Sequence, residues 1–384
     1  MIVHPKGTVG GVDLSLIVLV VIVAALAFDF TNGFHDTANA MATSIATGAL
    51  KPKVAVTISA ILNLIGAFLS VEVARTISGG IVDDAKVTPV VVFAGLVGAI
   101  LWNLVTWLVG LPSSSSHALF GGLIGATWVA SGADAVHFAQ VVQKVLIPAV
   151  ASPLVAGLVA IVGTYLVYRI TAKVRQDVVS KSFKRAQVLS ASLVSLAHGT
   201  NDAQKTMGVI TLTLISSGAL AAGSGPPLWV VLSAGLAIAL GTYMGGWRII
   251  HTMGRKITDV QTPQGFAAET SAAATILASS HLGFALSTTH VCSGGIIGSG
   301  VGRRLAEVRW SVAGRMVLAW LLTLPAAAAV GAVAAKVATM GTVGTVVVGL
   351  VLVAAALGIW LWSRRNPVTP QSVAEPEQAV PVAV

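Results

Sequence analysis

The sequence predicts an all-α polytopic membrane protein, and three observations carry that expectation. Of its 384 residues 55% are hydrophobic and only 10% charged, where a soluble domain carries roughly 25% charged residues. The mean hydropathy is +0.88, and the apolar residues come in runs such as Leu14 to Phe30 and Pro89 to Gly110, matching the roughly 20-residue helix that crosses a bilayer. The basic residues behind the net charge of +9 sit between such runs. They are Lys173, Arg175, Lys181, Lys184 and Arg185 within 171–187, then Arg255 with Lys256, Arg303 with Arg304, and Arg364 with Arg365. A soluble enzyme is excluded for want of charge to cover a water-facing surface. Nucleic-acid binding is disfavoured, because basic clusters flanking apolar spans follow the positive-inside rule and none is interleaved with aromatics for stacking on bases. One cysteine, Cys292, closes no intrachain disulfide and builds no thiolate metal cluster.

In chain order, residues 1–13 form an N-terminal segment without the basic region of a signal peptide directly before the apolar run, and are expected to be retained. Candidate spans follow near 14–34, 54–74, 89–110, 145–170, 188–198, 205–222, 227–247, 266–284, 311–335 and 342–362. Apolar pieces at 38–49, 118–131 and 291–301 are too short to cross. Beside polar breaks they read as discontinuous helices or re-entrant hairpins, which membrane depth tolerates only inside protein or along a cavity. About 10–12 membrane segments result. The basic stretch 171–187 is expected in the cytoplasm, and 363–384, rich in Pro, Gln and Glu, is expected as a disordered tail.

Internal repetition organises these spans into halves, 14–170 and 188–362, joined by the 171–187 linker. Gly33-Phe34-His35-Asp36-Thr37-Ala38-Asn39-Ala40-Met41 recurs as Gly199-Thr200-Asn201-Asp202-Ala203-Gln204-Lys205-Thr206-Met207. Ser114-Ser115-Ser116-His117, with Gly121-Gly122 and Ile124-Gly125 behind it, recurs as Ser287-Thr288-Thr289-His290, with Gly294-Gly295 and Ile297-Gly298. The two motifs keep their order, 81 residues apart in one half and 88 in the other. Matching interruptions in two halves point to a transporter's binding site at the repeat interface.

The residue types suggest what such a site holds. Asp29, Asp36 and Asp202 lie in apolar surroundings and need compensating partners. Carboxylates with neighbouring Asn and Thr offer hard oxygen ligands to a small cation, or accept a proton. Lys205 is either a counter-ion to a carboxylate or a contact for an anionic substrate. The Ser/Thr runs stand at the starts of short apolar helices, where hydroxyls cap the helix and free N–H groups with the positive dipole end attract anions. His117 and His290 are expected to cap or bond within their hairpins. No G-x-S-x-G, H-E-x-x-H or nucleotide-binding loop is present, so an intramembrane hydrolase is disfavoured and a self-contained ATP-driven pump is excluded. Gradient-driven transport is the leading reading, ahead of a channel.

Asn32 to Ala40 and Ala197 to Lys205 resemble the paired signature of the inorganic phosphate transporter (PiT) family, general form G-x-N-D-x-A-N-A. Gly245-Gly246-Trp247-Arg248-Ile249-Ile250, Thr262-Pro263-Gln264-Gly265-Phe266-Ala267-Ala268-Glu269 and Ser287-Thr288-Thr289-His290 resemble its second half in order. The resemblance, closest in kind to bacterial low-affinity proton-coupled members, spans about 14–362. It implies two inverted-topology repeats, secondary transport of inorganic phosphate across the plasma membrane, and a homodimer. It assigns phosphate contacts to Ser114, Ser115, Ser116, Ser287, Thr288, Thr289 and Gln204. Coupling-ion roles fall on Asp36, Asn39, Asn201, Asp202 and His35, with His117, His290, Lys205, Arg248 and Glu269 in support. No cofactor and no resident metal set is expected, although phosphate carried as a divalent metal complex is one variant. His35 stands where the signature has Asn, as in proton-coupled members, and Ala285 where the second hairpin often has Pro. Sodium coupling and another tetrahedral oxyanion such as sulfate are the alternatives.

Overall fold

The computed structural model describes residues 8–9, 12–303 and 308–374. Two two-residue strands, β1 (Thr8–Val9) and β2 (Val12–Asp13), pair antiparallel ahead of the first helix. The first half then runs α1 (Leu14–Ala46), α2 (Pro52–Gly66), α3 (Glu72–Gly80), α4 (Pro89–Leu108), α5 (Ser115–Ser131) and α6 (Phe138–Val141), which continues through a π turn into α7 (Ile147–Ile170). The second half repeats the order: α8 (Gln176–Ser216), α9 (Leu228–Met244), α10 (Trp247–His251), α11 (Thr262–His281), α12 (Thr288–Arg303) and α13 (Trp310–Ala338). Two further helices follow, α14 (Thr342–Ser363) and α15 (Pro370–Ala374).

The helix contacts come in matched pairs across the halves. α5 packs on α13 as α12 packs on α7, α1 on α9 as α8 on α2, and α4 on α5 as α11 on α12. Such reciprocity is what a pseudo-two-fold relation between halves produces. Helices in lipid associate through close packing rather than through water exclusion, and the repeated glycines supply it. A Cβ added at Gly125 would fall on the Ala328 carbonyl of α13, and one at Gly298 on the Gly157 carbonyl of α7. Gly298→Leu is therefore expected to cost about 1–3 kcal/mol through forced overpacking, measured as a lowered melting temperature in detergent. Gly314, with open space around its Cβ position, is the control that should tolerate Ala.

Among the described residues, five helical stretches are long and apolar enough to cross a membrane: Leu16–Ala46, Pro89–Leu108, Phe138–Ile170, Trp310–Ala338 and Thr342–Ser363. A sixth results if Leu228–Met244 and Trp247–Lys256, bent by 60°, count as one broken span. Exposed Leu154, Leu158, Leu318, Leu321, Leu350 and Leu357 form an apolar outer belt on α7, α13 and α14. The remaining long elements, α5, α8, α11 and α12, are shorter or more polar because they line the protein interior.

Three boundaries differ from expectation. The Asp motifs do not interrupt their helices: 14–34 and 38–49 fuse into α1, and 188–198 and 205–222 fuse into α8. Their polar side chains bond sideways to other helices, so the backbone ladder has no reason to open. The discontinuities at the motifs are instead the turns before α5 and α12. Within 171–187, helix α8 begins at Gln176 and carries Lys181, Lys184 and Arg185 on its first turns, with Lys173 and Arg175 just ahead of it. The tail is partly structured: α15 is helical, and Arg248 Nη2 donates to the Ser363 carbonyl (2.8 Å) and to that of Asn366. Residues 375–384, 304–307 and most of 1–13 lie outside the described set.

Candidate substrate and cation site

Each hairpin turn is built by a glycine in the left-handed region, Gly110 (φ 67°) after α4 and Gly283 (φ 70°) after α11, a conformation that side chains with a Cβ rarely adopt. The chain then re-enters a helix with a serine cap. Ser114 Oγ accepts from the His117 N–H (3.1 Å), and Ser287 Oγ accepts from the His290 N–H (3.2 Å). The tips touch: Ser116 Oγ donates to the Leu286 carbonyl (3.2 Å), and the His117 and His290 rings meet edge to face with centroids 4.8 Å apart. His290 also stacks on Trp320, whose Nε1 donates to the Pro112 carbonyl (3.1 Å). Two helix N-termini thus converge, each with its positive dipole end and its hydroxyls.

Both motif carboxylates face this junction. Asp36 receives Ser115 Oγ (2.7 Å) from the first tip and Thr289 Oγ1 (3.3 Å) from the second, and pairs with His35 Nδ1 (2.6 Å). The far side of the His35 ring is fixed by Thr106 Oγ1 (3.2 Å) and Ser113 Oγ (3.4 Å). Asp202 receives Thr288 Oγ1 (3.2 Å), is ion-paired to Lys205 Nζ, and lies 3.2 Å from His198 Nε2. Asn39 Nδ2 ties the set together by donating to Thr288 Oγ1 (3.3 Å) and Thr289 Oγ1 (3.0 Å). One ligand atom each of Asp36, His198 and Asp202 lies within 4.8 Å of the others. Asp36 is 1% and Asp202 0% exposed, so both carboxylates are shielded from solvent.

The structure therefore brings together His35, Asp36, Asn39, Asp202, Lys205, Ser114, Ser115, Ser116, Ser287, Thr288, Thr289, His117 and His290. It places others elsewhere. Gln204 turns away: its Oε1 accepts from the Val73 (2.8 Å) and Ala74 (3.3 Å) N–H groups at the start of α3, so its amide caps a helix and does not reach the hairpin hydroxyls. Asn201 Nδ2 donates to Ser280 Oγ (2.9 Å). Arg248 holds the Leu108 carbonyl (3.1 Å) and the chain after α14. Glu269 forms a separate layer, accepting from Thr43 Oγ1 (2.6 Å), Gln187 Nε2 (3.1 Å) and Ser190 Oγ. Thr47 Oγ1 joins it to Gln187 Oε1 (2.7 Å) and also lines a polar cavity of about 380 Å³ with Lys184, Arg255 and Gln261.

As numbers rise along α1, from Asp36 to Thr47, the partners on α8 fall from Asp202 to Gln187. The two motif helices are antiparallel, as inverted repeats require. The repeats are also unequal: aligned position by position, Lys205 stands where the first motif has Asn39, and Asn201 where it has His35. One carboxylate is consequently neutralised by an ammonium and the other is paired with an imidazole. His198 is not among the residues that the repeated motifs single out; its place four residues before Asp202, one helical turn away, is the sequence signal for it.

Paired hairpin tips meeting at buried carboxylates between two related halves define the class: an integral membrane transporter of the repeat-interface kind. Comparison with known proteins gives the family. Residues 32–331 match the model of the phosphate transporter family, and the chain belongs to that family. It is 58% identical over 92% of its length to a Mycobacterium tuberculosis protein named "Probable low-affinity inorganic phosphate transporter", covering 85% of that protein. A Bacillus subtilis protein of the same name is 40% identical over 83% of this chain and 96% of its own. A solved structure titled "The sodium-dependent phosphate transporter" superposes with a TM-score of 0.76 at 26% identity, covering 84% of this chain and 98% of that one.

Proposed function

We propose that the protein is a cation-coupled phosphate symporter in which Ser115, Thr288 and Thr289 bind the anion and Asp36 and Asp202 hold the coupling charge. One observation carries this reading: the hydroxyls at the two hairpin tips donate directly to the two carboxylates. A hydroxyl has one proton to give, so while it serves a carboxylate it cannot serve an oxyanion. When a cation or proton takes the carboxylate lone pairs, the hydroxyls are released to point at phosphate, into the field of two helix N-termini. Phosphate beside two uncompensated carboxylates would be repelled in a low-dielectric site. Cation and anion binding thus support each other, which is a coupling free energy between adjacent sites.

For the coupling ion we favour the proton, carried by the His35 and Asp36 pair. Imidazole is the side chain whose ordinary charge change lies near neutral pH, and the ring's contacts to Asp36 on one face and Thr106 on the other define a short donor chain. The likeness to a sodium-dependent phosphate transporter makes sodium the second reading. Radiolabelled phosphate uptake into proteoliposomes separates them: an inward pH gradient without sodium should drive uptake. His35→Asn should flatten the pH dependence and can confer sodium dependence by restoring the signature residue. Strict sodium dependence of the wild-type protein, with no response to a pH gradient at fixed sodium, rules the proton out.

A further inference from the structure

We propose that Asp29, Asn32 and Thr206 form a second cation site, for one small monovalent cation, on the side of the central cluster away from 171–187. Asp29 precedes Asp36 by seven residues, two turns, so it lies on the same stripe of α1 about 10 Å along the axis. On antiparallel α8, Thr206 lies one turn beyond Asp202. Thr206 and Asn32 are the polar neighbours of the Asp29 carboxyl group, with the charges of Asp202 and Lys205 within electrostatic reach.

Asp29, Asn32 and Thr206 are each 0% exposed. Yet, among the described residues, Oδ1 and Oδ2 of Asp29, both amide atoms of Asn32 and Oγ1 of Thr206 make no hydrogen bond of normal geometry. Buried polar groups are ordinarily satisfied, and an unpaired carboxylate at membrane depth is costly and a mark of function. The contrast with the centre is direct, because there each carboxylate oxygen is engaged. Lys205 does not answer the need, since its ammonium bonds Asp202 and reaches neither Asp29 oxygen. Four unpartnered oxygens, two carboxylate, one amide and one hydroxyl, are the hard donor set a small cation takes, and a single carboxylate is balanced by a single positive charge. The inference rests on the cation-coupled reading above and adds a second ion, staged two turns from the site where phosphate binds.

The test uses the full chain in proteoliposomes, with Asp29→Asn and Thr206→Val as near-isosteric variants whose folding is checked by thermal melting. Phosphate uptake is followed along two axes, sodium concentration at fixed pH and pH without sodium, and radiolabelled sodium binding is measured without phosphate. Asp29→Asn should raise the half-saturating cation requirement at least tenfold and Thr206→Val severalfold, with phosphate affinity at saturating cation unchanged. The axis that shifts names the ion, sodium or proton. Folded variants with the wild-type dependence on both axes, and the wild-type count of bound sodium, would overturn the site and leave these atoms to bound water. Sodium binding is read without phosphate, so loss of the site is told apart from failure of the phosphate reading itself.

Discussion

Asp202→Asn is expected to abolish gradient-driven phosphate uptake and also to weaken the fold, whereas Asp36→Asn should abolish uptake and leave the fold nearly intact. The difference comes from the partners. Asp202 neutralises Lys205, and both side chains are 0% exposed. Removing one member of a buried pair leaves an uncompensated charge, at a cost of about 3–5 kcal/mol. Asp36 pairs with His35 and not with a lysine, so its amide replacement strands no ammonium. Thermal melting of purified protein beside proteoliposome uptake separates the two effects. Adding Lys205→Met to Asp202→Asn should restore much of the melting temperature and none of the transport. Uptake that survives in both Asn variants would sink the assignment of these carboxylates to coupling.

Ser115→Ala and Thr288→Ala should each weaken phosphate binding by about 1–3 kcal/mol, the loss of a hydrogen bond to a charged group, which is roughly 5- to 150-fold in affinity. Because the tips face one junction, the double variant should bind no measurable phosphate at concentrations that saturate the parent. Expression should change little, since Asp36 keeps His35 and Thr289, and Asp202 keeps Lys205. Equilibrium binding at saturating cation is the measurement. Wild-type affinity in either single variant would remove that hairpin from the anion site.

Much of this was legible in the chain itself. Low charge and long apolar runs determine a membrane bundle, because lipid accepts little else. Two motifs repeated in order determine two related halves, and Ser114 and Ser287 ahead of apolar helices determine capped N-termini, a local matter of hydroxyl and backbone N–H. The joint presence of the Asp and Ser/Thr motifs was enough to name the residues that the fold brings together where the hairpin tips meet.

Other features were decided only by tertiary packing. Gln204 sits inside the signature, yet its amide is turned to cap α3, a choice made by where α3 docks and not by its neighbours in sequence. The Asp motifs read as helix breaks because so many polar residues adjoin; they stay helical because hydroxyls and amides from α5, α12 and the other motif helix arrive to satisfy them. The Glu269 layer, with donors from Thr43, Gln187 and Ser190, joins residues 79 to 226 positions apart. The sequence alone determined which polar groups must be buried, since burial follows from the apolar residues around them. Which partner each one meets depends on helices far apart in the chain, so only the fold decides which carboxylate gains an ammonium, which an imidazole, and which, at Asp29, makes no well-formed hydrogen bond among the described residues.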